Sequence, residues 1–300
     1  PDWHGDVPAT VTGLTEDRYI AAVQVKETWI NGEADRFKEG VGAFNPFILH
    51  HAIVSPQPIE DSSGEGAGRA APGTFQIVFE LGQNPLVYPK DAAVILPKNS
   101  KLNFALHLHS IGREVPARVD VGFKLHPVGY EPKYKGLTSA PMGWMHDELD
   151  IPAGQDNVRL DAFYTMPQSG RLMTYEPHMH ATGTRFCMEA IYPSGVREML
   201  NCSGYNHNWV KVYTYEEDAA PLLPKGTIIH TIGWYDNSAK NPRSLEPRNW
   251  KGYGNRTIDD MFIALNRVLF LTEDEFEEQV AEREAKQRLT QTSAPKTSGN

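Results

Sequence analysis

Long apolar runs and an excess of positive charge are absent from this sequence, and cysteine is scarce. No stretch approaches the ~20 consecutive apolar residues that a membrane-spanning helix needs. The 29 basic side chains are outnumbered by 38 acidic ones, so the formal net charge is −9. This balance argues against nucleic acid or an anionic membrane surface as a partner. The many prolines and aromatic residues favour strands and turns over helix bundles.

The two cysteines, Cys187 and Cys202, flank a Pro193-Ser194-Gly195 turn signal. Such a pair favours a local disulfide and therefore an oxidising compartment, and two buried reduced thiols are the alternative. The chain opens at Pro1 without an initiator Met or an apolar leader, as expected of a mature or trimmed product. We therefore expect a secreted or periplasmic protein.

Apolar residues make up 40% of the chain, and most of its segments alternate with a period of two. Between Leu102 and Leu108, for example, apolar residues share one face of a strand. The same alternation occurs in Arg18–Val25, Thr74–Leu81, Arg118–Leu125, Val158–Phe163, Asn208–Tyr213 and Met261–Leu271. Glycine and proline turns separate these segments, which predicts an all-β fold of antiparallel sandwiches or barrels.

The two halves of the chain resemble each other weakly. An HxHxxG motif begins at His107 and again at His178, and an LPK turn precedes a strand in each half. We expect two related β-domains, residues 1–140 and 141–271, with a connection near residue 140.

The terminal segment, residues 272–300, differs from the rest. Thr272 and Glu275 match a capping box, which predicts a short helix to about Leu289. A polar tail without a structural signal follows.

Histidine is concentrated in three places, which hold six of the eleven: His50, His51, His107, His109, His178 and His180. On a strand, residues i and i+2 point the same way, so each HxH motif can bring two imidazoles to one metal ion. No carboxylate cluster accompanies them, which disfavours calcium or magnesium. Zinc, as in a hydrolase, remains open, and a methionine ligand would favour Cu(I). The spacing does not identify which methionine.

The order of these motifs resembles the copper type II, ascorbate-dependent monooxygenases, the superfamily of peptidylglycine α-hydroxylating monooxygenase and dopamine β-monooxygenase. The likeness is greatest to bacterial members and runs from about Glu16 to Glu278. Its markers are EDRYIAAVQV, FILHHAIVS, LPKNSKLNFALHLHSIG, EPHMHATGTRF, LPKGTIIHTIGWYDNSAKNP and GNRTIDDMF.

The resemblance implies two antiparallel jelly-roll-like β-sandwiches that face a solvent cleft, with one copper ion in each. The electron-transfer site would be held by three imidazoles, those of His50, His51 and His107. The site where dioxygen and substrate react would be held by His178, His180 and Met261. The activity implied is hydroxylation of a C–H bond in a small organic substrate, with dioxygen and an external reductant such as ascorbate.

Some ligand assignments stay open. His109 could replace or join His107, although we favour His107. Adjacent His50 and His51 would face opposite sides of a regular strand, so their joint ligation requires a bulge or twist. We expect His230 to be a core residue or a support for a ligand. No role is assigned to His4, His126, His146 and His207.

Glu176 departs from the peptide-hydroxylating members, which carry an arginine at this position, two residues before the HxH motif. A carboxylate there repels a substrate carboxylate, so we expect Glu176 to be a possible substrate contact in an enzyme that does not amidate peptides. A non-catalytic periplasmic copper-binding or accessory subunit is the alternative function. The physiological electron donor is not indicated by the sequence.

Overall fold

The computed structural model describes residues 2–29, 48–58, 76–80, 83–109, 114 and 116–293. Strands account for 52% of the chain, and nineteen strands and one helix lie in the described part. The named strands pair in antiparallel fashion, so the predicted all-β sandwich fold with a C-terminal helix is confirmed.

Strands β1–β8 form two sheets, and they come from the first 125 residues. One sheet has the order β1-β7-β3-β4, and the other has β5-β2-β6 with β8 also on β2. Their bounds are β1 Asp2–Val11, β2 Arg18–Trp29, β3 Leu49–Pro58, β4 Ile77–Glu80, β5 Leu86–Val87, β6 Val94–Leu96, β7 Ser100–His109 and β8 Ala117–Leu125. Burial of alternate apolar residues, such as Ile20 and Val54, packs the two sheets together.

Strands β9–β19 form the sheets of the second half. Their bounds are β9 Leu137–Met145, β10 Val158–Thr165, β11 Gly170–Leu172, β12 Thr174–Tyr175, β13 Pro177–Met179, β14 Gly183–Ile191, β15 Arg197–Gly204, β16 Tyr213–Thr214, β17 Leu222–Leu223, β18 Ile228–Tyr235 and β19 Phe262–Phe270. One sheet has the order β10-β18-β14-β15, a second has β13-β19-β11-β17 with β9 on β19, and β12 pairs with β16. Phe186, Tyr235 and Phe262 are fully buried in the core of this half.

The boundary expected near residue 140 lies inside β9. Because β9 pairs with β19 along most of its length, it belongs to the second group of sheets. No sheet of the described residues mixes strands from the two groups, so the division falls between the end of β8 and the start of β9.

The helix α1 spans Glu273–Ser293, a few residues further than expected. The capping box is present: the Thr272 N–H donates to Glu275 Oε2 at 2.8 Å, and the Glu275 N–H donates to Thr272 Oγ1 at 3.3 Å. The last residues of the expected tail, 294–300, lie outside the described residues. Within the part of the chain that the structure describes, no helix combines the length and apolar character that crossing a bilayer requires.

Cys187 and Cys202 form the predicted disulfide, which joins the directly opposed residues of β14 and β15. Cys187 is buried and Cys202 is exposed, so the bridge fastens the edge strand β15 to the core of its sheet. This pairing excludes the alternative of two reduced thiols and fits an oxidising compartment.

We expect replacement of both cysteines, Cys187→Ala with Cys202→Ser, to lower the free energy of unfolding by about 3 kcal/mol. The reason is that the bridge closes a loop with a sequence separation of 15, and loops of this size restrict the unfolded chain by about that amount. Urea unfolding of the variant and of the oxidised and reduced parent measures the effect. Equal midpoints for the oxidised parent and the variant would contradict the prediction.

Candidate metal centre

Eight imidazole rings form one contiguous cluster where the two groups of sheets meet. Neighbouring ring centroids in it lie 3.8–6.3 Å apart. The members are His4, His50, His51, His107, His109, His178, His180 and His207. All six histidines of the sequence motifs are therefore brought together, with two more that had no expected role.

A bulge in β3 lets two adjacent histidines act together. The register of β3 against β7 shifts between Leu49 and His51, so the ring of His50 is not forced to the opposite face of the sheet. The Nδ1 atoms of His50 and His51 lie 3.3 Å apart. The bulge that joint ligation requires is thus present.

The Nδ1 atom of His51 has two neighbouring Nδ1 atoms, those of His50 and His107. His51 Nδ1 lies 3.3 Å from that of His50 and 3.4 Å from that of His107. Two nitrogens bound to one ion at about 2.0–2.1 Å in a tetrahedral arrangement lie roughly 3.3 Å apart. Each of these two separations fits a pair of nitrogens on one ion, and the full set of His50, His51 and His107 stays a prediction.

Two further histidines border this set. His4, on β1, lies directly opposite His107 and stacks on it at 3.8 Å, and His4, His51 and His107 offer ring nitrogens within 4.8 Å of one another. His109 stacks on His50 at 4.4 Å, while its Nε2 lies 3.2 Å from Thr257 Oγ1. His50, His107 and His109 also offer ring nitrogens within 4.8 Å of one another, so whether His109 replaces or joins His107 stays open.

Two members of the second predicted set, His178 and Met261, meet where β13 lies beside β19. His178 pairs in register with Ile263, which places it close to Met261 at the start of β19. The Nε2 atom of His178 lies 3.2 Å from Met261 Sδ, although 83 positions separate the two residues in the chain. The rings of His178 and His180 are 5.5 Å apart and inclined at 75°. An imidazole nitrogen and a thioether sulfur therefore meet at one point.

Glu80 orients His178 from the other half of the molecule. This carboxylate, at the end of β4, is 1% exposed and accepts a short hydrogen bond from His178 Nδ1. Burial lowers the pKa of His178, but the charge of Glu80 more than offsets this effect and the pKa is raised. With Nδ1 engaged, Nε2 is the atom directed at Met261, as in carboxylate–histidine–metal arrangements. Sequence reasoning missed Glu80 because it lies in a short strand far from every motif.

Asp260 connects the segments that carry the second set. Its buried carboxylate accepts hydrogen bonds from the backbone N–H groups of His180 at 2.8 Å, Met261 at 2.9 Å and Thr182 at 3.2 Å. The hydroxyl of Thr182 donates to it as well. On the His180 ring, Nδ1 lies 3.2 Å from the carbonyl oxygen of Asp259. The acidic pair of the TIDDM motif thus fixes two ligands.

Burial raises the pKa of Asp260 to about 6, although the hydrogen bonds that the carboxylate accepts act in the opposite direction and lower it. Because the folded protein then holds this proton more tightly than the unfolded chain, the contribution of Asp260 to stability is lost as pH rises from about 4 to about 6. The side chain of Asp260→Asn cannot ionise, so this variant should not share the loss. We expect the unfolding free energy of the metal-free parent to fall towards that of metal-free Asp260→Asn as pH rises across this interval. Urea titrations at several pH values measure this, and a constant difference between the two proteins would contradict it.

The interior of the cluster favours neutral imidazoles. Burial, aided by neighbouring histidines, lowers the pKa of His51 to about 2 and that of His180 to about 3, and it lowers the pKa values of His50 and His207 strongly. An unprotonated ring is the form that binds metal ions. These four rings are therefore ready to bind at neutral pH without displacing imidazolium protons, whereas the pKa of His178 is raised by Glu80.

His207 connects the two sets and changes one expectation. Its ring is 3% exposed and lies 4.3 Å from His50 and 5.6 Å from His180. The two sets were expected to face a solvent cleft, but the structure packs them against each other through this ring. The physical reason is that the turn after β15 carries His207 into the junction between the two groups of sheets.

Glu176 is held by an ion pair inside the second half. It is fully buried, and its Oε2 accepts a hydrogen bond from Arg267 Nη1 at 2.5 Å. Arg267 lies on β19, so the pair joins the segment before β13 to its neighbour in the sheet. The structure thus engages Glu176 with Arg267, and its role as a possible substrate contact stays a prediction.

The remaining histidines lie outside the cluster. His230 lies between two carboxylates, with Nδ1 3.0 Å from Glu189 Oε2 and Nε2 2.7 Å from Asp161 Oδ1. His126 stacks on Tyr130, and His146 pairs with Asp147 at the surface.

A cavity of about 420 Å³ adjoins both sets. His51, His178 and Met261 line one side of it, and its other walls are mainly apolar. Among the described residues, the lining includes Asp6 and Glu80 but no lysine or arginine. The arrangement can therefore place a small, largely apolar molecule next to candidate metal ligands from both halves.

Comparison with known proteins adds no functional information. No family model matches the chain, and no curated protein matches it. Solved structures with some likeness include the VP2 subviral particle of infectious bursal disease virus (9% identity, TM-score 0.25, 87% of this chain and 58% of that chain). Another is the structure of the Gt strain of the same virus (11% identity, TM-score 0.22, 84% and 56%). The chain spans less than two thirds of those chains, and at such TM-scores they carry no argument.

Proposed function

We propose that this protein is a copper-dependent monooxygenase that hydroxylates a C–H bond of a small organic substrate. The observation that carries the proposal is the meeting of His178 Nε2 and Met261 Sδ at 3.2 Å beside an apolar cavity. Imidazole and thioether together form a soft donor set, which suits Cu(I) better than zinc, calcium or magnesium. A zinc site built from histidines does not require a thioether ligand.

The donors present fit two copper ions per chain. His51 Nδ1 lies within 3.4 Å of the Nδ1 atoms of His50 and His107, and His50 also has a buried Nε2 without a hydrogen-bond partner in the described residues. We assign this all-imidazole set to electron storage, with ascorbate or another external reductant as the source. Copper at the His178, His180 and Met261 set would supply the one-electron chemistry that activation of dioxygen requires.

The protein's own groups have separate tasks at the second set. Glu80 holds the tautomer and direction of His178, and Asp260 fixes the backbone of His180 and Met261. Apolar side chains around the cavity exclude water from the reacting C–H bond. Each of these tasks is performed by a group whose position the surrounding sheet determines.

The cavity supports a mainly apolar substrate. Its walls include Ile53, Leu106, Trp144 and Ile263. Since carboxylates but no basic side chains occur among its described lining residues, an anionic substrate would meet repulsion without a partner. The lack of basic side chains in the described lining agrees with the expectation that C-terminal peptide amidation is not the reaction. Separately, the disulfide is consistent with a secreted or periplasmic enzyme.

The proposal is tested by loading the protein with Cu(I) under anaerobic conditions, measuring copper per chain, and adding ¹⁸O₂ and ascorbate with a panel of small apolar compounds. We expect copper-dependent oxygen uptake and transfer of one labelled oxygen atom to a substrate, detected by mass spectrometry. A preference for zinc over Cu(I), or oxygen uptake that never labels an organic product, would contradict the enzyme assignment.

A non-catalytic copper-binding or accessory protein is the second candidate. It is favoured by the burial of His50, His107 and His180, each of which is 1% exposed. Burial of this kind suits retention of an ion as well as reaction. Tight Cu(I) binding without labelled product in the same experiment would select this function.

We expect Glu80→Gln to weaken Cu(I) binding at the second set by about 10–100-fold, the usual effect of removing a carboxylate that orients a histidine ligand. Competition with a chromogenic Cu(I) chelator measures the affinity. Asp161→Asn is the matched control, because Asp161 makes the same kind of contact with His230 outside the cluster. Equal losses in both variants, or none in either, would remove Glu80 from this role.

A further inference from the structure

A groove of about 600 Å³ lies between the start of β13 and the end of β15. Pro177 lines it from β13, and Gly204 lines it from β15. Among the described residues, it shares no lining residue with the cavity beside Met261. Cavities of this size commonly hold small molecules that a few polar groups orient. The groove is therefore a candidate binding site apart from the proposed metal centre.

The groove is cationic, although the chain as a whole has a formal net charge of −9. Lys211 and Arg243 line it, and no aspartate or glutamate occurs among its described lining residues. The Nε atom of Arg243 is buried and has no hydrogen-bond partner in the described part of the chain. A buried donor without a partner is costly, and a carboxylate oxygen is a strong acceptor for a guanidinium group. These two side chains therefore favour a negatively charged ligand.

Two aromatic rings of the groove are open to solvent. Trp209 is 56% exposed and Tyr213 is 38% exposed, and both line the groove. Each is fixed by the fold: the ring of Tyr213 lies 5.6 Å from that of Tyr175, and the Trp209 N–H donates to the carbonyl of Asn206 at 2.9 Å. An exposed aromatic face can stack on a ring of a ligand, and exposed apolar groups of this size commonly mark binding sites. The rings thus favour a ligand that carries a ring of its own.

The groove has free space above Gly204. This residue is exposed on β15, and no heavy atom other than those of its chain neighbours lies within 4 Å of the place that a Cβ atom would occupy. Its backbone is also outside the left-handed region. A ligand can therefore approach the strand closely at this point, and a larger side chain would fill the same space without a clash within the fold.

We propose that this groove binds a small organic anion in which a carboxylate is joined to a ring, either an aromatic ring or a sugar. Arg243 and Lys211 pair with the carboxylate, and the exposed face of Trp209 stacks on the ring. Such a ligand is repelled by the carboxylates that line the cavity beside Met261. The site is thus distinct from the proposed substrate site and requires no metal ion.

The test is isothermal titration calorimetry on the full, metal-free chain with two ring acids, benzoate and galacturonate. Acetate supplies the charge without a ring, and galactose supplies a ring without the charge. We expect at least one ring acid to bind about tenfold more tightly than acetate and galactose, and the tighter acid identifies the kind of ring. If neither ring acid exceeds both controls, the proposal is overturned. Because no copper is present, this result is independent of the proposed oxygen chemistry.

Two variants assign the binding to the groove. We expect Arg243→Gln to weaken binding of the ring acid by about tenfold, since it removes a charged hydrogen-bond donor, and Gly204→Val to block binding by filling the space. Arg248→Gln is the matched control for charge, because Arg248 is an exposed cation that pairs with Glu246 outside the groove. Gly122→Val is the control for the added side chain, at an exposed position of β8 with free space. Both controls should bind like the parent, and circular dichroism establishes that each variant is folded. Parent-like binding in Arg243→Gln or in Gly204→Val would overturn the proposal.

Discussion

Replacement of Met261 by leucine should abolish the copper–sulfur contribution in the X-ray absorption spectrum of the reduced protein. The sulfur lies 3.2 Å from His178 Nε2, and leucine offers no donor in its place. Because a thioether stabilises Cu(I), affinity at the second set should fall by more than tenfold, and hydroxylation should fall with it. The all-imidazole set of His50, His51 and His107 should keep its ion.

The fold should survive this change. Leucine and methionine have similar volumes, and Met261 is only partly buried, so the cost in unfolding free energy should stay below ~1.5 kcal/mol. Met166→Leu, at a 1% exposed core position, is the control for a methionine that serves packing alone. If the parent lacks the sulfur signal, or if both variants keep it, Met261 is a packing residue and the monooxygenase proposal loses its main support.

Asp260→Ala should have the largest effect on stability. It removes the acceptor for three backbone N–H groups and one hydroxyl, of which all but the Met261 N–H are fully buried. Each donor left without a partner costs about 1–3 kcal/mol, so we expect a loss of about 4 kcal/mol in unfolding free energy and a fall of roughly 10 °C in Tm. Copper affinity at the second set should decrease as well, since the backbone of His180 and Met261 is no longer fixed.

The neighbouring carboxylate provides the comparison. Asp259 pairs with the exposed side chain of Arg256 at 2.7 Å, so Asp259→Asn should change the unfolding free energy by less than ~1 kcal/mol. Calorimetry on the metal-free proteins separates the two positions. A small loss in Asp260→Ala would mean that the ligand backbone does not depend on this carboxylate.

Much of the fold could be predicted because it depends on local patterns. Alternating apolar residues mark β7, and the capping box marks the start of α1, since both signals arise from residues within a few positions of one another. The disulfide could also be predicted, because its cysteines flank one turn. The alternation in Asn208–Tyr213 was misleading: only Tyr213 at its end belongs to a strand, and the hydrogen bonds of Asn206 hold a turn at its start.

The site was only partly predictable, for a physical reason. The motifs identify residues by type and spacing, so the HxH pairs and Met261 could be found. Glu80 contacts His178, 98 positions away, and His207 contacts His50 in the first half of the chain, and nothing in their own sequence surroundings marks them. Burial of a lone histidine follows from how the two halves pack, which a linear pattern does not encode.

The hydrogen bond between Glu80 and His178 makes the two halves interdependent in evolution. A ligand in the second half is oriented by a carboxylate from the first, at the end of a four-residue strand. Neither residue can change alone without leaving a buried partner unsatisfied, so the two positions should vary jointly among homologues. A gene fusion that exchanged one half for that of a distant homologue would be retained only if the residues at positions 80 and 178 still matched each other.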